Sequence, residues 1–185
     1  DGAWRLAFCE DGPEALAFGP IGSRPWIATR VPEPVHLALH RAGMLPDLEF
    51  GLNSLAARWV EDAFWVYRRE FELPTEADLV GWRLVLELVE CFARVFLNGA
   101  EIGTVCNAHR PHRLPCGANL RHGLNELAIV VDSGARSVID RPVSGWLPDR
   151  ISVGTRRNWL RKPQYQCGWD WNPRLVNVGL LGSVR

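Results

Sequence analysis

Apolar and polar residues alternate along much of this chain in short runs that glycine and proline interrupt. In "WVYRREFEL" (residues 65–73), Trp65, Tyr67, Phe71 and Leu73 share one face, while Arg68, Glu70 and Glu72 share the other. That period of two marks a half-buried strand. "RLVLELV" repeats it, with Leu84, Leu86 and Leu88 on one side. "ARVFLNGAEIG" sets out Ala93, Val95 and Leu97, then reaches Asn98-Gly99, a pair that tolerates positive φ and so turns a hairpin. "LNELAIVVDS" carries Leu127, Ile129 and Val131, and "RLVNVGLLGSV" closes the chain with Val176, Val178, Leu180 and Val184. Two segments read as helices. "PVHLALHRAG" has Pro34 in a first turn, apolar Val35, Leu39 and Ala42, and Gly43 as a stop; "NSLAARWVED" offers Asn53 as an N-cap. Residues 134–158 follow no period and read as a long loop. The whole predicts an all-β, antiparallel β-sandwich with the helices decorating one end before the main strands.

Composition narrows the function. A chain of 185 residues is read as a single domain, 1–185. Lys+Arg and Asp+Glu both number 21, so the basic excess of a nucleic-acid or membrane-surface binder is lacking. No run approaches 18 apolar residues, and no charged-then-apolar leader opens the chain. Five cysteines, an odd number without regular spacing, point to a reducing compartment and a cytoplasmic protein rather than a disulfide framework. Nine tryptophans against two tyrosines stand out; most are expected in the core.

Several candidate chemistries can be weighed. Cys106, His109, His112 and Cys116 cluster in "CNAHRPHRLPC", but zinc usually takes paired C-x2-C and H-x3-5-H ligands. Pro111 stiffens the middle, and alternation continues into Leu114, so an extended segment without metal is expected. There is no G-x-S-x-G nucleophile motif. Glu87 and Glu90 share a strand and are expected on its solvent face, so no glycosidase carboxylate pair stands out and no catalytic residue or cofactor is assigned. "RKPQYQCGWDWNPRL" (residues 161–175) is different. Indole faces stack on the C–H faces of sugar rings, and a carboxylate accepts bonds from neighbouring hydroxyls; Trp169, Asp170 and Trp171 supply both. The alternatives are a core tryptophan pair, or an Asp170 that holds the loop through Arg161, Lys162 or Arg174.

Four landmarks resemble the N-terminal domain of glycoside hydrolase family 2 β-mannosidases: "RVPEPVHLALHRAGMLPD", "WVEDAFWVYRREFEL", "ARVFLNGAEIGTVCNAHRPHRL" and "RKPQYQCGWDWNPRLVNVGL". The resemblance implies a jelly-roll, galactose-binding-like sandwich that precedes an immunoglobulin-like domain and a (β/α)₈ (TIM) barrel carrying the catalytic glutamates. It implies a substrate-binding role for Trp169 and Asp170, toward a terminal β-mannoside or related glycan, with Arg161, Lys162, Gln164 and Trp171 supporting the loop. It places His109 and His112 at aromatic core positions. Asn172 stands where the family usually has glycine, so Asn172 is expected to make a positive-φ turn. The parent is then a retaining β-mannosidase whose non-catalytic N-terminal domain braces the barrel and completes its sugar subsite. A stand-alone lectin-like module and a purely structural sandwich are the alternatives.

Overall fold

The computed structural model describes residues 1–9, 26–143 and 156–185. In chain order its strands are β1 (Gly2–Cys9), β2 (Ile27–Val31), β3 (Glu33–Pro34), β4 (Phe64–Leu73), β5 (Arg83–Leu86), β6 (Val89–Glu90), β7 (Phe92–Leu97), β8 (Ala100–Val105), β9 (His112–Pro115), β10 (Gly123–Asp132) and β11 (Gly179–Leu180). One layer is a six-stranded sheet in the order β2-β1-β4-β10-β7-β8, antiparallel throughout. The facing layer combines a three-stranded sheet, β3-β11-β6, with the pair β5-β9. The chain end knits these two together: Leu181 N donates to Leu88 O at 3.0 Å and Val85 N to Arg185 O at 2.7 Å.

The period-two pattern sets the core. Trp65, Tyr67, Val95, Leu127, Ile129 and Val131 point from the large sheet onto Leu86, Val89, Val178, Leu180 and Val184 of the facing layer. The opposite face is not purely solvated, because Ala7, Val66, Phe96, Ala128 and Val130 form a second buried cluster there. Of the closing segment only Gly179–Leu180 is strand, although Val178, Leu180 and Val184 all reach the core. At the predicted hairpin Leu97 pairs with Ala100, and Asn98 (φ 50°) and Gly99 (φ 87°) both take positive φ, the type I′ geometry that the right-handed strand twist favours.

Helix α1 (Val35–Arg41) lays Val35, Ala38 and Leu39 on the core. Pro34 is its N-cap rather than part of its first turn, Ala42 is an exposed C-cap, and Gly43 (φ 72°) ends it. Helix α2 (Asn53–Ala56) begins after Leu52. Asn53 does not cap it; its Nδ2 instead donates to Asp47 O at 2.8 Å and ties down the preceding loop. Within the expected loop after Gly134, Ala135 and Val138 are packed with Leu160, Cys167 and Val176 in a third cluster, and residues 144–155 lie outside the described part. Fewer tryptophans are internal than their apolar bulk suggests. Trp4 and Trp65 are buried and Trp59 packs against the core, but Trp82, Trp159, Trp169 and Trp171 are exposed.

Candidate functional site

The tryptophan-rich segment is a hairpin standing on a buried polar base. After a 3-10 turn at Gln164–Cys167, Gly168 (φ 107°) redirects the chain. Trp169 and Asn172 then exchange both backbone hydrogen bonds at 3.1 Å, which leaves Asp170 and Trp171 as a two-residue tip. Asn172 does not take the expected positive φ; Gly168 supplies that freedom four residues earlier. Asn172 acts through its side chain, with Nδ2 donating to Pro173 O at 2.9 Å and Tyr165 O at 3.3 Å.

At the tip the indoles of Trp169 and Trp171 meet edge to face, 6.3 Å apart and inclined at 76°. Trp169 is 49 % and Trp171 80 % exposed, so the core alternative fails, and Trp171 is a tip residue rather than a packed support. The Arg157 guanidinium lies 5.5 Å from the centre of the Trp169 ring and donates to Gly168 O at 3.1 Å, holding that indole from behind. The Asp170 side chain is exposed and has no hydrogen-bond or ion-pair partner among the described residues. Two of its three would-be partners are engaged elsewhere. Arg174 pairs with Glu61, and Lys162 pairs with Glu90. A free carboxylate on the same tip as two open indoles can accept bonds from adjacent hydroxyls while a sugar ring stacks on an indole.

The base is where the sequence misled. Glu90 is 2 % exposed, not on a solvent face. Lys162, 1 % exposed, sets its Nζ 3.0 Å from Glu90 Oε2 and donates to Asn177 O at 2.5 Å. Gln166 Nε2 donates to Glu90 Oε1 at 3.0 Å, and Gln166 Oε1 accepts from Asn177 N at 3.1 Å. The two arms of the hairpin, around 166 and 177, are thereby bound to β6. Burial raises the Glu61 carboxyl above its ordinary range, against the lowering pull of the Arg174 bond. Gln164 donates to Arg157 O at 2.7 Å, whereas Arg161 is exposed and offers its backbone carbonyl to Ala108 N at 2.8 Å. Glu61 and Gln166 escaped the sequence reading, and Glu90 entered it only as a solvent-face acid; the one clue to its burial was its place between Val89 and Cys91 in an apolar run.

The cysteine–histidine segment is spread out. His112 is buried with its Nε2 2.8 Å from Asn107 O, and Cys116 is buried, but Cys106 and His109 are exposed. His109 therefore does not occupy the core position expected of it. Among the described residues no group of three or more metal-ligating side chains converges.

Residues 4–182 match the family described as glycosyl hydrolase 2 galactose-binding domain-like. The chain belongs to that family. Among curated relatives of this family-2 domain, β-mannosidase B of Thermothelomyces thermophilus is 35 % identical over 82 % of the chain and 18 % of its own length. β-Mannosidase B of Emericella nidulans is 34 % identical over 86 % of the chain and 20 % of its length. The crystal structure of a β-D-mannosidase from Dictyoglomus thermophilum superposes with a TM-score of 0.81 at 30 % identity, covering all of this chain and 21 % of that one. The exo-chitosanase of Amycolatopsis orientalis, at 22 % identity, 70 % and 16 % coverage and a TM-score of 0.55, shares the fold alone. The family-2 chain thus spans about a fifth of the length of these mannosidases.

Proposed function

We propose that this chain is the non-catalytic N-terminal domain of a retaining β-mannosidase. It braces a catalytic barrel, contacts the downstream immunoglobulin-like domain, and offers the Trp169–Asp170–Trp171 hairpin to the terminal β-mannosyl residue. The carboxylate pair for the two-step displacement belongs to the barrel. The observation that carries the reading is the exposed Asp170 carboxylate, unpaired among the described residues, at the tip of a hairpin that bears two exposed indoles and stands on a buried ionic base. β-Mannosidases among the similar proteins supply the sugar. Free thiols at Cys91, Cys106, Cys116 and Cys167 fit a reducing, cytoplasmic setting.

The test is Asp170→Ala in the full-length parent. Two charge-assisted bonds at about 1.5–3 kcal/mol each set the ceiling, and about 1.4 kcal/mol is tenfold. We expect kcat/KM toward an aryl β-mannoside to fall by about one to three orders of magnitude with Tm unchanged. An unchanged kcat/KM removes Asp170 from the substrate site.

A further inference from the structure

Beside the hairpin lies a cleft of about 650 Å³ between α1, the 47–54 segment and residues 172–177. That size falls within the range of about 300–1,000 Å³ typical of small-molecule sites. Its lining mixes the apolar bodies of Leu48, Pro173 and Leu175 with the polar side chains of His36, Ser54 and Asn177. His36 and Ser54 are buried, at 4 % and 8 % exposure, and Asn177 is half-buried. Among the described residues none of these three side chains has a hydrogen-bond partner, and of their polar atoms His36 Nδ1 is the one that is fully enclosed. Native folds pair nearly all buried polar groups, so an enclosed, unpaired imidazole nitrogen beside the unpaired side chains of Ser54 and Asn177 on one cleft marks a place where something else completes them.

The chemistry of the cleft selects the ligand. Burial, with the Lys162 charge behind it, pushes the His36 imidazole down to about 4, so the ring is neutral around pH 7. A neutral imidazole, a hydroxyl and a primary amide each donate and accept, which matches hydroxyl groups rather than ions. Asp47 and Glu49 also line the cleft and disfavour an anion. The leucine and proline bodies suit the C–H faces of a pyranose ring.

We propose that this cleft is a second saccharide site, taking a neutral sugar residue through hydroxyls bonded to His36, Ser54 and Asn177, next to the residue held by the hairpin. The choice of mannose rests on the β-mannosidase reading; the site itself does not. Asn172 and Pro173 belong to both the hairpin and the cleft rim, so one short glycan can span the two.

The experiment is titration of the 185-residue protein with β-1,4-mannobiose and with cellobiose, followed by amide chemical shifts. Saturable shifts at residues 36–40, 47–54 and 172–177 are expected, with Kd of about 1 mM or tighter. Ser54→Ala and Asn177→Ala remove unpaired side chains, so each should keep the wild-type Tm while weakening binding about tenfold or more. Asp170→Ala should leave the shifts at 36–54 in place. Binding of either disaccharide at the cleft supports the site, and preference for mannobiose ties it to the proposed substrate. No saturable shift overturns the proposal. So do shifts confined to 169–172, which would leave the hairpin reading intact, and so do cleft shifts that appear on raising protein concentration alone, which would make this face a protein interface. An unchanged kcat/KM for Asp170→Ala in the parent, alongside cleft binding, would sink only the hairpin reading.

Discussion

Replacing Lys162 by Met probes the foundation of the hairpin. Both Lys162 and Glu90 are nearly inaccessible, at 1 % and 2 % exposure, with Nζ and Oε2 3.0 Å apart. Met fills the volume of the lysine stem but strands the Glu90 carboxylate in a dry interior, which costs about 3–5 kcal/mol. It also removes the donor to Asn177 O. For a domain of this size each kcal/mol shifts Tm by about 2–4 °C, so Tm should fall by about 6–20 °C. Glu90→Gln strands the lysine charge instead and should cost a similar amount. The double variant Lys162→Met with Glu90→Gln removes both charges and keeps an acceptor for Gln166 Nε2, so it should lose less than either single variant. Urea unfolding at pH 7 for the four proteins decides the matter. Single variants within about 1 kcal/mol of wild type, or a double variant whose loss is the sum of the two, would refute the buried-pair account.

Two further outcomes follow from side chains remote from the hairpin tip. The unfolded chain protonates His36 near 6.5, but the folded protein resists until about 4, so stability from this group is lost as pH falls through that window, by about 3 kcal/mol in all. His36→Phe should flatten the difference in unfolding free energy between pH 7 and pH 4.5, and an equal slope in both proteins would count against it. Asn98→Ala places an alanine at φ 50° and deletes the bonds to Asn119 O, Asn125 Oδ1 and Glu126 N, for an expected loss of about 2–4 kcal/mol. Asn98→Gly, which relaxes φ but not the bonds, should fall between alanine and wild type in the same urea titration, and a loss equal to alanine's would remove backbone strain from the account.

The fold was legible because its signals are local. Alternation within β4, β7 and β10 names the inward residues without knowledge of the partner strand, and Asn98-Gly99 fixes a register by turn chemistry alone. What failed was non-local. Glu90 looked like a solvent-face acid because its partners, Lys162 and Gln166, lie more than seventy positions away. Glu61 meets Arg174 across a sequence separation of 113. The hairpin was visible as a composition, yet its turn was misassigned: one glycine at Gly168 can redirect the chain, so Asn172 was spared the conformation that a position-by-position reading demanded of it.

The division between base and tip bears on what this domain can do unaided. In the base Lys162 is paired with Glu90 and Arg174 with Glu61, so the hairpin arms are ordered at a cost already met by folding. At the tip the Asp170 carboxylate faces water, where a sugar hydroxyl merely replaces a solvent bond of similar strength. The same carboxylate gains value when another surface closes over it and lowers the local dielectric, because the charge-assisted bond then has no aqueous competitor. A rigid, desolvated base carrying an open, unpaired tip is therefore the expected form of a part that completes a site built mainly elsewhere. An autonomous sugar receptor would instead wall in its own polar groups, as the neighbouring cleft does with His36 and Ser54.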